Sequence, residues 1–206
     1  MCSDVPSPID LRLMVDASEW EASAMQKRPW RTEVFARFTR ELEKMTPPAR
    51  RVLELGSGPG FLASKLLDQL AELRMTLLDF SESMHVLARK RLGAMTDRVE
   101  LVTRSFKETD WPRGLATFDA VVTNQAVHEL RHKRYAEGLH RQTASVLRPG
   151  GAYLVCDHYF GPGGMANDQL YMTKAEQKAA LEAAGFHEVS EVLLIGGMVM
   201  HRGIAP

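Results

Sequence analysis

The sequence predicts an α/β fold built on a doubly wound, mostly parallel β-sheet. Apolar runs rich in branched side chains alternate with helical patterns from residue 50 onward, which is typical of successive βα units. A glycine-dense turn, Gly56 to Gly60, follows the first of these runs. The last two runs, Glu188 to Ile195 and Met198 to Ile204, are joined by two glycines and predict a C-terminal antiparallel hairpin.

Length and composition indicate one domain and do not favour a nucleic acid or membrane partner. The chain has 206 residues, and its 26 Lys and Arg residues equal its 26 Asp and Glu residues. This balance predicts neither a nucleic acid partner nor an anionic membrane partner. Because Cys2 and Cys156 are the only cysteines, we expect reduced thiols and a cytoplasmic location. No apolar run is long enough for a membrane span, and the start lacks a signal-peptide pattern.

Residues 1–49 are predicted to form an arm and two cap helices, and residues 50–206 to form the core of a single domain. Residues 1–17 contain two prolines and a short apolar stretch, which fits either a flexible arm or a strand edge used by a partner. Ser18 to Met45 has a helical pattern that Pro29 interrupts. The apolar stripe of its second half consists of Val34, Phe35, Phe38 and Leu42.

The stretch from Val52 to Gly60 predicts a strand, a loop and then a helix that continues to Leu73. Glycines at alternate positions allow a left-handed backbone that approaches a ligand closely, and the helix start offers free N–H groups. The G-x-G-x-G spacing differs from the dinucleotide pattern, whose third glycine would fall at Phe61. Glu54 precedes the loop, and its carboxylate favours a cation or an ammonium group over a pyrophosphate. We therefore expect a positively charged ligand.

These residues resemble motif I of the class I S-adenosylmethionine-dependent methyltransferases, which combines an apolar pair, an acid, an apolar residue and G-x-G-x-G. The resemblance extends from about Arg50 to the C-terminus. It implies a seven-stranded, three-layer α/β/α fold and S-adenosyl-L-methionine as the cofactor. The residues that it assigns to the cofactor here are Glu54, Gly56, Ser57, Gly58 and Gly60. It also implies that the N-terminal helices cover the ligands, with Trp20, Arg28, Trp30 and Arg31 as candidates for the pocket wall.

The second predicted strand, Arg74 to Asp79, ends in an acid that the resemblance assigns to the cofactor ribose. A carboxylate accepts hydrogen bonds from both ribose hydroxyls, a chemistry that nicotinamide dinucleotide sites share. Ser81 is expected to cap the helix from Glu82 to Arg91. By resemblance, Phe80 and Met84 lie against the adenine ring, although packing alone is equally compatible with two core residues.

The third predicted strand, Arg98 to Thr103, is followed by a departure from the family pattern. Arg104-Ser105-Phe106 stands where the family commonly has Gly-Asp-Ala. The aspartate of the family accepts a hydrogen bond from the adenine amino group, and a serine hydroxyl is a weaker acceptor. Ser105 and Phe106 are therefore the predicted adenine contacts, Phe106 through its backbone N–H and its apolar ring.

The fourth predicted strand, Phe118 to Thr123, leads into the segment that resembles motif IV, Asn124 to Leu130. Ligands of doubly wound sheets bind outside the carboxyl ends of the strands, so Asn124 and Gln125 are predicted to line the cofactor site. The segment has neither the Asn/Asp-Pro-Pro-aromatic sequence of methyltransferases that act on DNA bases nor the paired glutamates of arginine methyltransferases.

The motif IV segment also contains an H-E-x-x-H pattern, from His128 to His132, which on a helix presents two imidazoles to zinc. A zinc protease needs a further ligand downstream, and Ala152 to Val155 contains no acid. We therefore expect no metal site. His128 is predicted either to lie in the acceptor pocket or to be a structural histidine.

The fifth predicted strand, Ala152 to Asp157, follows the turn Arg148-Pro149-Gly150-Gly151, which recurs in the family. A loop with His158 and Tyr159 comes next, and a helix capped by Thr173 follows it. Methyl transfer from a sulfonium is an in-line displacement that needs alignment and exclusion of water. A protonated oxygen or nitrogen acceptor also needs a base, for which the candidates are His128, His158 and Tyr159.

The sequence thus predicts a methyltransferase that acts on a small molecule, as a monomer or a homodimer. The alternatives are a methyltransferase acting on a protein or tRNA, and a cofactor-binding subunit that has lost catalysis. The first alternative is favoured only by the basic run Arg131-His132-Lys133-Arg134, which also fits a solvated helix face. The second would use residues 1–17 to bind its partner.

Overall fold

The computed structural model describes residues 4–206, in which helices and strands follow the predicted order. Cys2 and the first residues of the predicted arm lie outside this range. The helices are α1 (Met14–Lys27), α2 (Arg31–Glu43), α3 (Phe61–Gln69), α4 (Glu82–Leu92), α5 (Ala136–Ala144) and α6 (Lys174–Ala183). The strands are β1 (Arg51–Leu55), β2 (Arg74–Asp79), β3 (Val99–Thr103), β4 (Phe118–Asn124), β5 (Leu147–His158), β6 (His187–Ile195) and β7 (Met198–Ile204). None of the described helices combines the length and the apolar character that a membrane crossing requires.

The strands form one seven-stranded mixed sheet in the order β3-β2-β1-β4-β5-β7-β6, which confirms the predicted fold class. β1 pairs in parallel with β2, β2 with β3, and β4 with β5. β7 pairs antiparallel with both β5 and β6, as the predicted C-terminal hairpin requires. Its turn has Gly196 at φ +56° and Gly197 at φ +75°, the left-handed angles of a tight two-residue hairpin turn.

Two compact units divide the chain, and each has its own core. The first unit, Ile9–Trp111, contains β1 to β3 and α1 to α4. In it, β1 and β2 bury every residue after the first, as expected of parallel strands that are covered on both faces. The second unit comprises Pro112–Pro206 together with the N-terminal segment up to Pro8. Its central strand, β5, is buried continuously from Gly151 to Asp157.

Two elements begin earlier than the sequence predicts. α1 begins at Met14 rather than Ser18, so part of the predicted arm is helical. β5 begins at Leu147, and the Arg148-Pro149-Gly150-Gly151 segment therefore belongs to an irregular strand rather than to a separate turn. The register of β4 against β5 shifts in this region, which accommodates the irregular segment.

Helix α3 ends at Gln69, before the predicted end at Leu73. Leu70 takes an extended conformation, with φ −114° and ψ 92°. The Arg98 guanidinium donates to the carbonyl oxygens of Leu70 at 3.0 Å and Leu67 at 2.6 Å, so it satisfies the acceptors that the helix end leaves open. This cap comes from a distant part of the chain, and a local pattern could not indicate it.

The predicted caps at Ser81 and Thr173 are present. Ser81 Oγ accepts a hydrogen bond from the Met84 N–H at 3.1 Å. Thr173 Oγ1 accepts one from the Glu176 N–H at 3.1 Å, and the Glu176 carboxylate accepts one from the Thr173 N–H at 2.7 Å. This reciprocal capping box satisfies donors at the start of α6 and defines where the helix begins.

Replacing Thr173 with alanine is expected to lower the free energy of unfolding by about 1 kcal/mol, because the Glu176 N–H loses its side-chain acceptor. Urea titration followed by circular dichroism measures this change. Thr117→Ala is the matched control, since Thr117 is exposed in the loop before β4 and should change stability little. Equal losses in the two variants would contradict a specific contribution from the cap.

Candidate functional site

The loop between β1 and α3 has the left-handed backbone that its glycines predict. The φ angle is +69° at Gly56, +52° at Gly58 and +75° at Gly60. The N–H groups of Gly56 and Ser57 donate to the Leu78 carbonyl at 2.8 and 3.2 Å, which ties the loop to β2. A Cβ atom built at Gly58 would meet no atom within 4 Å. A ligand therefore has room to approach the backbone at this position.

Glu54 places a buried carboxylate near the end of β1. It is 3% exposed, and its Oε2 has no hydrogen-bond partner among the described residues. Burial and the nearby charge of Asp79 raise the pKa of Glu54 well above its usual range, while a hydrogen bond from the Ala63 backbone acts in the opposite direction. A buried carboxylate of this kind is stabilised most by a cationic partner.

Asp79 is buried at the end of β2 and holds the glycine loop. Its Oδ2 accepts a hydrogen bond from the Gly58 N–H at 2.8 Å, and its Oδ1 accepts one from the Ser81 N–H at 2.9 Å. The carboxylate thus joins the loop to the first residues of α4. An ionised carboxylate has about four acceptor positions, so hydrogen bonds from a ribose are compatible with these two contacts.

The two residues that the resemblance assigns to the adenine differ in accessibility. The Phe80 side chain is 42% exposed, whereas Met84 is 1% exposed. Met84 packs with Ala17 and Leu87 in a hydrophobic cluster of the first unit. Phe80 therefore presents apolar surface to a ligand, and Met84 is a core residue in this structure.

Ser105 and Phe106 follow β3, and they differ in how much of each side chain is exposed. Ser105 Oγ accepts a hydrogen bond from the Lys107 N–H at 3.2 Å, so the hydroxyl keeps its proton for donation. The Phe106 ring is buried. Their contact with adenine stays a prediction.

A cluster of arginine and aromatic side chains beside the glycine loop is an addition to the predicted site. Arg91 Nε donates to the Pro59 carbonyl at 2.9 Å, and the guanidinium carbon lies 3.7 Å from the Phe61 ring centroid. The Arg31 guanidinium carbon lies 5.2 Å from the Trp20 ring centroid. The sequence singled out Trp20 and Arg31 as wall candidates. Nothing in the local pattern indicated Arg91 and Phe61, which meet only in the folded unit.

In the second unit, Asn124 is the last residue of β4 and Gln125 follows it. Asn124 Oδ1 is buried and has no hydrogen-bond partner within residues 4–206. Gln125 has φ +56°, and its N–H donates to the Cys156 carbonyl at 2.7 Å. Its side-chain Nε2 lies 2.9 Å from Nε2 of His158. The fold therefore brings together two residues that the sequence predicted separately.

His128 forms a buried pair with Asp157. The His128 N–H donates to Asp157 Oδ2 at 2.8 Å, and Nδ1 lies 2.7 Å from Oδ1. Nε2 of the same ring lies 3.3 Å from Glu129 Oε1. Burial alone would lower the pKa of His128, but Asp157 and then Glu129 outweigh it and raise the pKa to about 10. His128 is therefore protonated near neutral pH.

Asp157 was not among the predicted site residues. Burial would raise its pKa, but the opposite charge and the hydrogen bonds of His128 hold the pKa below its usual value. The available signal was an acid at the carboxyl end of an apolar parallel strand, directly before His158. That signal does not name a partner, because His128 comes from a different part of the chain.

A cavity of the second unit lies against this pair. The ring centroids of His128 and Tyr171 are 5.6 Å apart, and those of His158 and Tyr171 are 5.9 Å apart. Gln177 Nε2 donates to the His158 carbonyl at 2.9 Å. The remaining lining residues are Val127, Lys133, Ala136, His140, Val155, Asp157, Leu170 and Met172. The cavity thus has polar and apolar walls.

Tyr159 was a candidate base, and the H-E-x-x-H segment was a candidate zinc-binding helix. The Tyr159 hydroxyl donates to the Pro162 carbonyl at 3.2 Å, within its own loop. Val127–Leu130 is a short 3₁₀ helix, and Arg131 follows with φ +67°. The segment is therefore not a helix that would align His128 with His132. In the described part of the chain, no three His, Cys, Asp or Glu side chains are grouped as a metal site would require.

Comparisons with known proteins identify the domain. Residues 52–151 match a family model described as a methyltransferase domain. The chain is 28% identical over 191 residues to the malonyl-[acyl-carrier protein] O-methyltransferase of Geobacter sulfurreducens, covering 84% of this chain and 67% of the relative. It is 30% identical over 166 residues to the enzyme of the same name from Legionella pneumophila, covering 79% of this chain and 55% of the relative.

Solved structures share the fold over nearly the whole chain. DesVI of Streptomyces venezuelae has a TM-score of 0.73 at 18% identity, covering 92% of this chain and 98% of that one. The amino pentose methyltransferase CalS10 of Micromonospora echinaspora, solved with bound S-adenosylmethionine, has a TM-score of 0.73 at 19% identity, covering 91% and 96%. Residues 52–151 are therefore a methyltransferase domain, and the order of the seven strands is the fold that this chain shares with solved S-adenosylmethionine-dependent methyltransferases.

Proposed function

We propose that this chain transfers a methyl group from S-adenosyl-L-methionine to a small-molecule acceptor. The observation that carries the proposal is the buried Glu54 carboxylate, whose Oε2 has no partner among the described residues, beside a loop with open space at Gly58. S-adenosylmethionine has an ammonium group that can pair with the Glu54 carboxylate. Its amino-acid chain is slender enough to approach the backbone at Gly58. The methyltransferase domain match supports the same function.

The geometry of the first unit supports the following assignment of cofactor contacts. We assign the ammonium group to Glu54 and the amino-acid chain to the backbone of residues 56–60. Asp79 accepts hydrogen bonds from the ribose, and the exposed Phe80 ring covers the adenine. Met84 supports α4 from the core side. Ser105 and Phe106 complete the adenine side of the site.

On the acceptor side we assign His128 and His158, whereas Asn124 and Gln125 keep their predicted assignment to the cofactor. Because His128 is protonated near neutral pH and its ring nitrogens face the Asp157 and Glu129 carboxylates, it does not accept a proton from the acceptor and instead helps to position it. An ionised oxygen acceptor needs no base. An oxygen acceptor is also consistent with the O-methyltransferase names of the two curated relatives. For an acceptor that carries a proton, His158 is the candidate base.

The basic run that favoured a protein or tRNA substrate is engaged within the chain. Arg131 is buried. Lys133 pairs with Glu176 at 2.7 Å, and Arg134 pairs with Asp4 at 2.7 Å. These contacts neutralise positive charge that a polyanion would need, so they support a small-molecule acceptor. Contact of the N-terminal segment with its own chain likewise favours an enzyme over a subunit that serves a partner.

Thermal unfolding with added ligand tests the cofactor. S-adenosylhomocysteine at 100 times its Kd is expected to stabilise the protein by about 2.7 kcal/mol and to raise Tm, because it binds only the folded state. NAD at the same concentration should leave Tm unchanged. A rise with NAD and none with S-adenosylhomocysteine would reject the proposed function. Release of S-adenosylhomocysteine from S-adenosylmethionine in the presence of carboxylic acids, phenols, amines or tRNA then identifies the class of acceptor.

Glu54→Gln is expected to weaken S-adenosylhomocysteine binding by about 1.5–3 kcal/mol, because the ammonium group loses its ionised partner. Isothermal titration calorimetry measures the affinity. 5′-Methylthioadenosine lacks the amino-acid moiety and is the matched probe, so its affinity should stay within about twofold. Equal weakening of both ligands would indicate a collapsed loop, and an unchanged S-adenosylhomocysteine affinity would contradict the assignment of Glu54.

The stability that His128 contributes should depend on pH. Its folded pKa of about 10 lies above the unfolded value near 6.5, so this contribution is fully present below pH 6.5 and is lost as pH rises toward 10. Wild type should exceed His128→Gln by on the order of 2 kcal/mol at pH 6.5, and the difference should shrink by pH 10. Urea unfolding at several pH values measures it, with His132→Gln as the control substitution. A difference that is constant over this range would contradict the charged state of His128.

A further inference from the structure

The N-terminal segment of residues 4–6 lies along the turn that follows His128. The Val5 N–H donates to the Arg131 carbonyl at 2.9 Å. In return, Arg131 Nε donates to the Val5 carbonyl at 2.8 Å, and its NH2 group donates to the Pro6 carbonyl at 2.5 Å. Arg131 is 8% exposed, so these hydrogen bonds are shielded from water and are stronger than exposed ones.

A second contact anchors the front of the segment. The Asp4 carboxylate accepts hydrogen bonds from Arg134 at 2.7 Å and from the Tyr135 hydroxyl at 3.1 Å. Both partners of the Asp4–Arg134 pair are about half exposed, and exposed pairs of this kind contribute little. The buried contacts of Arg131 therefore carry most of the attachment.

The conformation of Arg131 is one that the rest of the chain must hold in place. Its φ of +67° is unfavourable for a residue with a side chain. The hydrogen bonds of its backbone and side chain to Val5 keep the residue in this conformation. Removal of the segment leaves the turn without these contacts.

Arg131 is connected to His128 through Glu129. Arg131 NH1 donates to Glu129 Oε2 at 3.4 Å, and Glu129 Oε1 lies 3.3 Å from His128 Nε2. The other groups around His128 are the carboxylate of Asp157 on β5 and the rings of His158 and Tyr171. Lys133 and His140 line the same cavity. Among these groups, Glu129 accepts a hydrogen bond from Arg131 and faces His128, so it links the two residues.

We propose that residues 4–6 act as a positioning strap, which holds Glu129 against the His128 imidazole through Arg131. The acceptor side of the site then includes the N-terminal segment, although that segment is far from His128 in sequence. The importance of this strap for methyl transfer rests on the proposed function. The coupling between the strap and His128 does not, and it can be measured without an acceptor.

The test compares the full chain with a chain that begins at Ser7, using NMR titration of the His128 imidazole, which is assigned from the spectrum of His128→Gln. Without the strap, the Arg131 guanidinium loses the contacts that fix it beside Glu129, and the pKa of His128 should fall by about one unit, the smaller effect expected of a nearby opposite charge. Affinity for S-adenosylhomocysteine should stay within about twofold, because the strap makes no contact that we assign to the cofactor. An unchanged His128 pKa in the shortened chain would overturn the proposal.

A double-mutant cycle shows whether the effect passes through Glu129. Glu129→Gln should lower the His128 pKa by itself, and shortening the chain in that background should add no further change. An additive change would overturn the proposed path. Arg131→Gly keeps the left-handed backbone accessible while removing the guanidinium, so it tests the same link if the shortened chain does not fold. Arg141→Gln is the control, since it removes only the exposed pair of Arg141 with Glu137 on α5 and should leave the His128 pKa unchanged.

Discussion

The buried carboxylate of Asp79 is the contact on which the glycine loop of the first unit depends. Its two oxygens hold the Gly58 and Ser81 N–H groups, so the glycine loop and the start of α4 share one anchor. Burial raises the pKa of Glu54, and the nearby charge of Asp79 raises it further. The geometry that orders the loop therefore also places a second buried acid beside it.

In the second unit, the buried acid Asp157 has a cationic partner within the chain. Asp157 is paired within the chain by the His128 imidazole, with contacts to both the ring and the backbone N–H. The pair is mutually stabilising, since each partner keeps the other charged. A ligand is not needed to balance this charge. The imidazolium is therefore not poised to take a proton from another group.

Two residues with left-handed backbone, Gln125 and Arg131, flank the His128 turn, and both have side chains. Each is held by hydrogen bonds to a distant segment, Gln125 to Cys156 and Arg131 to Val5. Strained conformations persist where the surrounding structure fixes them, and such places are often functional. The position of His128 is therefore a property of the whole unit rather than of the H-E-x-x-H segment.

The local patterns of the sequence were sufficient to predict the strands, the glycine loop, the caps at Ser81 and Thr173, and the terminal hairpin. Strand alternation, glycine angles and capping depend on residues a few positions apart, so they can be recognised in the linear sequence. Where a distant side chain intervened, as at the end of α3, the prediction was wrong by several residues. A distant side chain also contacts the 3₁₀ helix Val127–Leu130, since the His128 N–H donates to Asp157.

The sequence by itself was enough to predict the family, the order of the elements and the acids of the glycine-loop motif, because each of these depends on patterns among neighbouring residues. Only the tertiary structure decided that Met84 is a core residue and Phe80 an accessible one. Only it decided the charge of His128, since protonation depends on burial and on Asp157, which lies 29 positions away along the chain. Burial and long-range charge are properties of the packed chain, and a linear pattern does not contain them.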